Sequence, residues 1–354
     1  MTINDVPSQM HPGRGIAATI GDIDAASDEQ ELRAGVNRAR QAVVAELTAH
    51  TPTLTLAAAW SEVMRQSVAT AARLVSGGNS PGCTWFVSGS VARGEAIPGS
   101  DVETLIALDD DVEEAAKTAV LGLAADVHAL LERCQLAPDA NGVLASRSRF
   151  CRRRTSWAEG IERWCAEPEK DRGVVMTGLA ADATGVLNRI DGDDELRAQT
   201  VEAARRHPAA RHAMLQDATA VRASIPSRLR ILATQDDAVD LKLAAVEPIV
   251  KIARWAALSA GSNALSTLER LDDAAAAKVL DAEDGSILRD CYQSLSRIRW
   301  RTRAGAWIDG DRITERISLS DLAPAERAAL RTVAREVGGI RRKLNFLAST
   351  PSFG

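Results

Sequence analysis

The feature that most constrains this chain is a glycine-serine turn followed closely by two acidic residues. The turn begins the segment GSVARGE over residues 89–95, and the segment SDVE follows over residues 100–103. Apolar runs flank both segments, which predicts one strand before the turn and a second strand at the acids. Because alternate side chains of a strand share a face, Asp101 and Glu103 are expected to point to the same side.

A turn of this kind beside two acids is suited to binding phosphate and a metal ion. Free backbone N–H groups at Gly89 and Ser90 would bind phosphate oxygens. Two carboxylates about 4 Å apart repel by roughly 4 kcal/mol at an effective dielectric constant of about 20, so a half-buried pair favours a bound cation. Magnesium fits, because it takes one or two carboxylates and completes its shell with phosphate oxygens and water. The alternative is an exposed turn whose acids are simply hydrated.

Composition limits the class of protein. The 354 residues are 45% hydrophobic and 26% charged, which is typical of a globular chain of two or three domains. A net charge of −5 argues against the broad basic surface of a non-specific nucleic-acid binder. The five cysteines are odd in number and form no C-x-x-C, so reduced thiols and a cytoplasmic location are expected. There is no signal pattern and no apolar stretch of about 20 residues, so no membrane association is expected.

Periodicity along the chain predicts an α+β fold, with a small mixed sheet flanked by N-terminal helices and a C-terminal all-helical bundle. Residues 1–26 are rich in proline and glycine and are predicted to be a flexible tail. The apolar run over 174–179 is predicted to be a strand just before Asp182. The predicted units after the tail are N-terminal helices over 27–78, the domain carrying the turn and the acids over 79–190, and a helical domain over 191–350.

The segment GSVARGEAIPGSDVE over 89–103 resembles the motif of the DNA polymerase β-type nucleotidyltransferase superfamily. That motif runs glycine, serine, any residue, alanine or glycine, arginine, any residue and glutamate, and then reaches serine or threonine, aspartate, any residue and aspartate. Within the superfamily, the chain is similar to the bacterial PII-protein uridylyltransferase branch and to related nucleotidyltransferases with a helical substrate-binding domain. The segment VDLK over 239–242 resembles the aspartate-leucine-lysine helix of that domain.

The chain departs from the motif of these relatives at two places. Glu103 stands where aspartate is more usual, and its oxygens lie about one methylene further from the backbone. The segment DAT over 182–184 lacks the arginine that is expected two residues after the aspartate, because Thr184 stands there.

The resemblance implies that an acceptor hydroxyl attacks the α-phosphorus of a nucleoside triphosphate and releases pyrophosphate. Asp101 and Glu103 would be catalytic residues that hold Mg²⁺, or Mn²⁺ in its place. Asp182 would be a third catalytic carboxylate that helps to deprotonate the acceptor or holds a second metal. The nucleotide-binding residues implied in the same way are Gly89, Ser90, Arg93, Ser100 and Lys242.

Several of these residues have alternative roles. Arg93 could pair with Glu95 instead of binding phosphate, and Asp182 could be an ordinary turn residue. Lys242 could be a solvated helix lysine. The arginine-rich segment over 147–154 could dock an acidic partner or the acceptor, or it could be a charged helix face.

The sequence leaves two functions of different classes open. The first is a magnesium-dependent, uridylyltransferase- or adenylyltransferase-like enzyme that modifies a small molecule or an acceptor protein, such as a PII-like signalling protein. The second is a catalytically silent nucleotide-binding regulatory or scaffold protein of the same fold, which Glu103 and Thr184 motivate. A nucleic-acid polymerase is disfavoured by the net charge and by the lack of aromatic stacking platforms.

Overall fold

The N-terminal part of the chain forms three packed helices. The computed structural model describes residues 14–78, 82–187, 194–220, 236–309 and 313–349. The helices are α1 (Arg14–Ala25), α2 (Glu29–Thr48) and α3 (Thr53–Val75). The prediction of a flexible tail over 1–26 is therefore wrong for residues 14–25, and its residues 1–13 lie outside the described residues. Ile16 and Ile23 are buried at helical spacing, because α1 packs against both α2 and α3.

Four short strands form one mixed sheet. They are β1 (Cys83–Val87), β2 (Thr104–Leu108), β3 (Cys151–Arg153) and β4 (Thr184–Leu187). The strand order is β3-β2-β1-β4, with β1 antiparallel to β2 and β4 and with β2 parallel to β3. Strand β2 begins at Thr104, so Asp101 and Glu103 lie just before the strand on which they were expected. The helices that follow β1 and β2 are α4 (Gly89–Ala92) and α5 (Glu114–Arg133).

Two helices separate β3 from β4, namely α6 (Arg154–Ala166) and α7 (Gly173–Ala181). The prediction of a strand over 174–179 is therefore wrong. A short, continuous apolar run does not distinguish a buried strand from a buried helix, and six of the nine residues of α7 are buried. Strand β4 follows Asp182 instead of preceding it.

The C-terminal half is mainly helical and also contains a two-stranded antiparallel ribbon of β5 and β6, which was not predicted. A short π-helical segment, Lys242–Val246, leads from β5 into α10. The other elements are α8 (Glu195–Arg206), α9 (Pro208–Ala220), β5 (Ala238–Asp240), α10 (Glu247–Ala260), α11 (Thr267–Ala276), α12 (Ala282–Asp309), β6 (Arg316–Ser318), a 3₁₀ turn (Leu319–Asp321) and α13 (Pro324–Ala348).

The four-stranded sheet lies between two hydrophobic cores. Val87 and Ile106 pack with the N-terminal helices in one core, whereas Phe86 and Leu105 pack with α6, α7 and the C-terminal helices in the other. Alternation along β1 and β2 therefore joins a helical layer to each face of the sheet. The predicted α+β class, with a small mixed sheet between helical parts, is confirmed. Within the described ranges, no helix is long and apolar enough to cross a bilayer.

Candidate active site

The glycine-serine turn closes over the side chain of Glu103. Gly89 has φ +63°, a conformation that favours glycine, and it begins the single turn of α4. A Cβ atom at Gly89 would lie only 2.5 Å from Oε2 of Glu103, so a larger residue would push that carboxylate away. The amide of Ser88 donates to the carbonyl of Glu103 over 3.1 Å and ties the turn to the acidic segment. The turn and Glu103 are therefore in contact, as the sequence predicts.

A third carboxylate, Asp139, joins Asp101 and Glu103. The Val102 amide donates to the carbonyl of Ala137 over 2.9 Å, and the Asp139 amide donates to the carbonyl of Val102 over 3.2 Å. The loop before β3 therefore runs beside the acidic segment and brings Asp139 close enough to Asp101 to raise the pKa of that carboxyl. We call Asp101, Glu103 and Asp139 the carboxylate cluster.

Asp139 was missed by the sequence analysis. Its carboxylate is buried at 3% exposure and accepts hydrogen bonds from the Val143 amide at 2.8 Å and the Asn141 side chain at 3.2 Å. The segment PDANG over 138–142 reads as an ordinary surface turn, so its composition gives no sign that the aspartate is buried. The position of Asp139 in the site follows only from the hydrogen bonds between this loop and the acidic segment.

The carboxylate cluster carries unbalanced negative charge. Burial raises the pKa of Glu103 to about 7, and the neighbouring Asp139 and Asp101 carboxylates add to the rise. Burial also raises the pKa of Asp101, and the Lys242 ammonium group partly opposes that rise. Oε2 of Glu103 is buried without a hydrogen-bond partner in the described part of the chain.

These properties fit a divalent cation. The candidate ligands are carboxylate oxygens, they repel one another, and one buried oxygen is unpartnered. Within the described ranges, no three acidic, histidine or cysteine side chains are arranged so that they could hold a metal ion by themselves. Phosphate oxygens and water would therefore complete the shell, which is how Mg²⁺ is usually held beside a nucleotide.

Lys242 reaches the carboxylate cluster from the C-terminal half of the chain. It is exposed at the start of the π-helical segment, and its charge acts on Asp101. The Leu241 amide beside it donates to the carbonyl of Glu315 over 3.1 Å, and the Glu315 carboxylate pairs with Arg303 at 2.6 Å. Arg303 in turn donates to the carbonyl of Pro98 over 2.8 Å. This chain of contacts links the lysine to the loop that leads into the acids.

Arg93, for which the resemblance implies a nucleotide contact, forms ion pairs within the chain. Its side chain is only 9% exposed, and its Nε donates to Glu95 over 2.7 Å while a terminal nitrogen pairs with Asp182. The other oxygen of Glu95 accepts from the amide of Thr267 over 2.6 Å, at the start of α11. The alternative pairing of Arg93 with Glu95 is therefore the one observed.

Asp182 is held by guanidinium groups on every side. It is 1% exposed and bonds to Arg254 at 2.9 Å and Arg270 at 2.7 Å as well as to Arg93. Burial alone would raise the pKa of Asp182, but the three guanidinium groups outweigh it and hold the pKa far below its ordinary range. A carboxylate bonded to three guanidinium groups is a poor proton acceptor, which weighs against the role of general base. The motif has an arginine at position 184, where this chain has threonine. Arg254 and Arg270 place positive charge beside Asp182 instead.

The remaining predicted residues lie around the turn. The hydroxyl of Ser100 accepts from the Ile97 amide over 2.9 Å, so it stabilises the loop before the acids. Ser90 lies in α4 and is partly exposed beside Gly89. Of the predicted phosphate-binding residues, Gly89 thus contacts Glu103, Ser90 follows it in α4, and the charge of Lys242 acts on Asp101.

Most of the arginine-rich segment is engaged within the chain. Arg149 pairs with Asp171 at 3.0 Å, and Arg154 pairs with Asp109 at 3.0 Å. Arg153 donates to the carbonyl of Val112 over 2.9 Å. The guanidinium of Arg152 lies 5.1 Å from the ring centre of Trp164, which is a cation–π contact. These four arginines therefore support the fold.

Two protein-family models match this chain, and each contains some of the residues described above. Residues 37–171 match the family model described as "Putative nucleotidyltransferase DUF294", and residues 208–347 match the model described as "Putative nucleotidyltransferase substrate binding domain". The chain belongs to this nucleotidyltransferase family. The first match contains the carboxylate cluster, and the second contains Lys242, Arg254 and Arg270. No curated protein matches the chain.

Proposed function

We propose that this nucleotidyltransferase moves a nucleoside monophosphate from a nucleoside triphosphate to a hydroxyl of a protein or small molecule, with Mg²⁺ as cofactor. The observation that carries the proposal is the carboxylate cluster packed against the Gly89 turn, with Lys242 beside it. Such an arrangement offers backbone amides and a lysine to phosphate, and oxygen ligands to a divalent cation.

Each group has a distinct task in this proposal. Asp101, Glu103 and Asp139 would hold Mg²⁺, which when bound orients the triphosphate and stabilises charge on the attacking and leaving oxygens. The Gly89 turn and Lys242 bind the phosphates. The acceptor oxygen bonds to the α-phosphorus, its proton passes to a carboxylate, and the bond to the leaving pyrophosphate breaks. Most of the rate comes from positioning and fixed charges.

The carboxylate cluster is also the best source of a general base. Asp182 is occupied by arginines, whereas Asp139 lies beside Asp101 and Glu103 at the Gly89 turn. We therefore propose that Asp139 takes the place in the site that the resemblance gave to Asp182.

The proposal also names an acceptor and the base of the donor nucleotide. The resemblance to PII-protein uridylyltransferases supports uridylyl transfer to a PII-like protein, and adenylyl transfer is its counterpart in related enzymes. A nucleotide-binding protein without transfer activity is the second candidate, favoured by Glu103 and Thr184, the two positions at which the chain departs from the motif.

The decisive experiment incubates the protein with nucleotides labelled on the α-phosphate, Mg²⁺ and cell lysate, using each ribonucleotide in turn. Label transfer and pyrophosphate release are expected with one nucleotide. Asp101→Asn should lower transfer by about 100-fold or more, since even the partners of metal ligands cost roughly 10–100-fold when mutated. Asp126→Asn, which changes an exposed aspartate of α5, should be neutral. Tight nucleotide binding with no transfer would select the silent candidate.

A further inference from the structure

One arginine of the segment 147–154 differs from its neighbours. Arg149, Arg152, Arg153 and Arg154 bond to carboxylates, carbonyls or tryptophan rings. Arg147 is exposed, and in the described part of the chain its guanidinium forms no ion pair and no hydrogen bond. Its charge is therefore available to a ligand.

The guanidinium of Arg147 is nevertheless held in a defined place. It lies against Gly142, so closely that a Cβ atom at that position would collide with it. Gly142 has φ +82°, a backbone conformation that L side chains rarely adopt. Because Gly142 has no side chain, the guanidinium of Arg147 can lie directly against its backbone.

This surface is part of the loop that carries Asp139. The amide of Gly142 donates to the carbonyl of Asp139 over 3.0 Å, which closes a four-residue turn. The Cα atoms at the ends of such a turn are less than about 7 Å apart, so Arg147 rests on the far end of the turn that begins at Asp139. Asp139 itself is fixed by the Val143 amide at 2.8 Å.

A triphosphate beside three carboxylates needs more positive charge than one divalent cation supplies. Of the nearby cations, Arg93 and Arg303 are already paired with Glu95 and Glu315. Lys242 and Arg147 form no ion pair in the described ranges, and they belong to different domains. Both side chains are therefore free, within the described ranges, to neutralise a polyphosphate.

We propose that Arg147 binds the β- and γ-phosphates of the donor nucleotide and the pyrophosphate that remains after transfer. A guanidinium can bind phosphate oxygens with two parallel N–H donors, which a hydrated lysine cannot do. This inference rests on the proposed function, because it names the group that recognises the polyphosphate of that same site. The alternative is that Arg147 binds an acidic acceptor, and the experiment below distinguishes the two roles.

The test compares Arg147→Ala and Arg147→Lys with Arg149→Ala, which removes a neighbouring arginine that pairs with Asp171. Calorimetry measures binding of the nucleotide and of pyrophosphate, each with Mg²⁺, and steady-state kinetics separates KM from kcat. Arg147→Ala should weaken both ligands by about tenfold or more, as expected for a lost charged hydrogen bond. Arg147→Lys should recover part of the loss, and Arg149→Ala should bind as the wild type does.

The outcomes distinguish this inference from the proposed function. Unchanged binding of nucleotide and pyrophosphate in Arg147→Ala overturns the inference, even if the wild type transfers label. An increase confined to the KM of the acceptor overturns it as well, and assigns Arg147 to the acceptor. Weaker pyrophosphate binding in Arg147→Ala, with no transfer by the wild type, supports the subsite and rejects the enzyme. A wild type that binds neither ligand rejects both.

Discussion

At the scale of single residues, the carboxyl group of Glu103 lies in surroundings that disfavour its charged form. It lies beneath Gly89 and beside two other acids, and one of its oxygens has no hydrogen-bond partner in the described part of the chain. Burying a carboxylate without a cation is costly, so the folded chain favours its protonated form. A bound cation would favour the charged form instead.

This gives a prediction for stability as a function of pH. The pKa of Glu103 rises from 4.5 to about 7 on folding, so its contribution to stability is present below the lower value and is lost as pH rises through the upper one. Mg²⁺ binds the deprotonated form and should raise the melting temperature more at about pH 8 than at about pH 6. Thermal melts of the wild type with and without Mg²⁺ measure this.

Glu103→Gln is the matched variant for that experiment. It keeps the size of the side chain but removes the titrating group, so the difference between the two pH values should shrink. An Mg²⁺ effect of equal size at both pH values in the wild type would count against a cation at this carboxyl.

At the scale of elements, α1 shows how a helix can be hidden in a sequence that resembles a tail. Gly15 and Gly21 lower its helix propensity, yet Ile16 and Ile23 lie on one face of the helix and are buried. Gly35 of α2 leaves room for the close approach, because a Cβ atom there would lie 2.8 Å from Cγ1 of Ile23. The helix is stabilised by this packing more than by the propensity of its residues.

Ile23→Ala should therefore destabilise the protein by about 2–5 kcal/mol, the usual cost of removing a buried isoleucine side chain. Ile308→Ala removes an isoleucine that is 56% exposed and should change stability by less than about 0.5 kcal/mol. Urea unfolding of both variants checks the prediction. Equal stability of the two variants would mean that α1 is not part of the folded core.

At the scale of the whole molecule, Asp182 joins three parts of the chain. Arg93 follows α4, Arg254 lies on α10 and Arg270 lies on α11, and all three bond to its carboxylate. Glu95 adds a second connection at the first residue of α11. These contacts dock the helical domain on the sheet and so hold Lys242 beside the carboxylate cluster.

Asp182→Asn should lower the free energy of unfolding by about 3–5 kcal/mol, because it removes the negative charge that three largely buried guanidinium groups share. Urea unfolding measures the loss, with Asp126→Asn as the exposed control. A loss of less than about 1 kcal/mol would show that Asp182 does not connect the two domains.

The sequence by itself determined the features of this protein that depend only on residues close together along the chain. The turn at Gly89, the acids Asp101 and Glu103, and the two strands around them lie within one short segment, so local rules of turn and strand geometry were enough to relate them.

The tertiary structure alone decided which distant residues complete the site. Asp139 arrives through a loop that pairs with the acidic segment, and Arg254 and Arg270 reach Asp182 from positions 72 and 88 residues away. Periodicity and composition describe only what is close along the chain. The partner of a buried charge is chosen by how the two cores pack on the sheet, which no local pattern records.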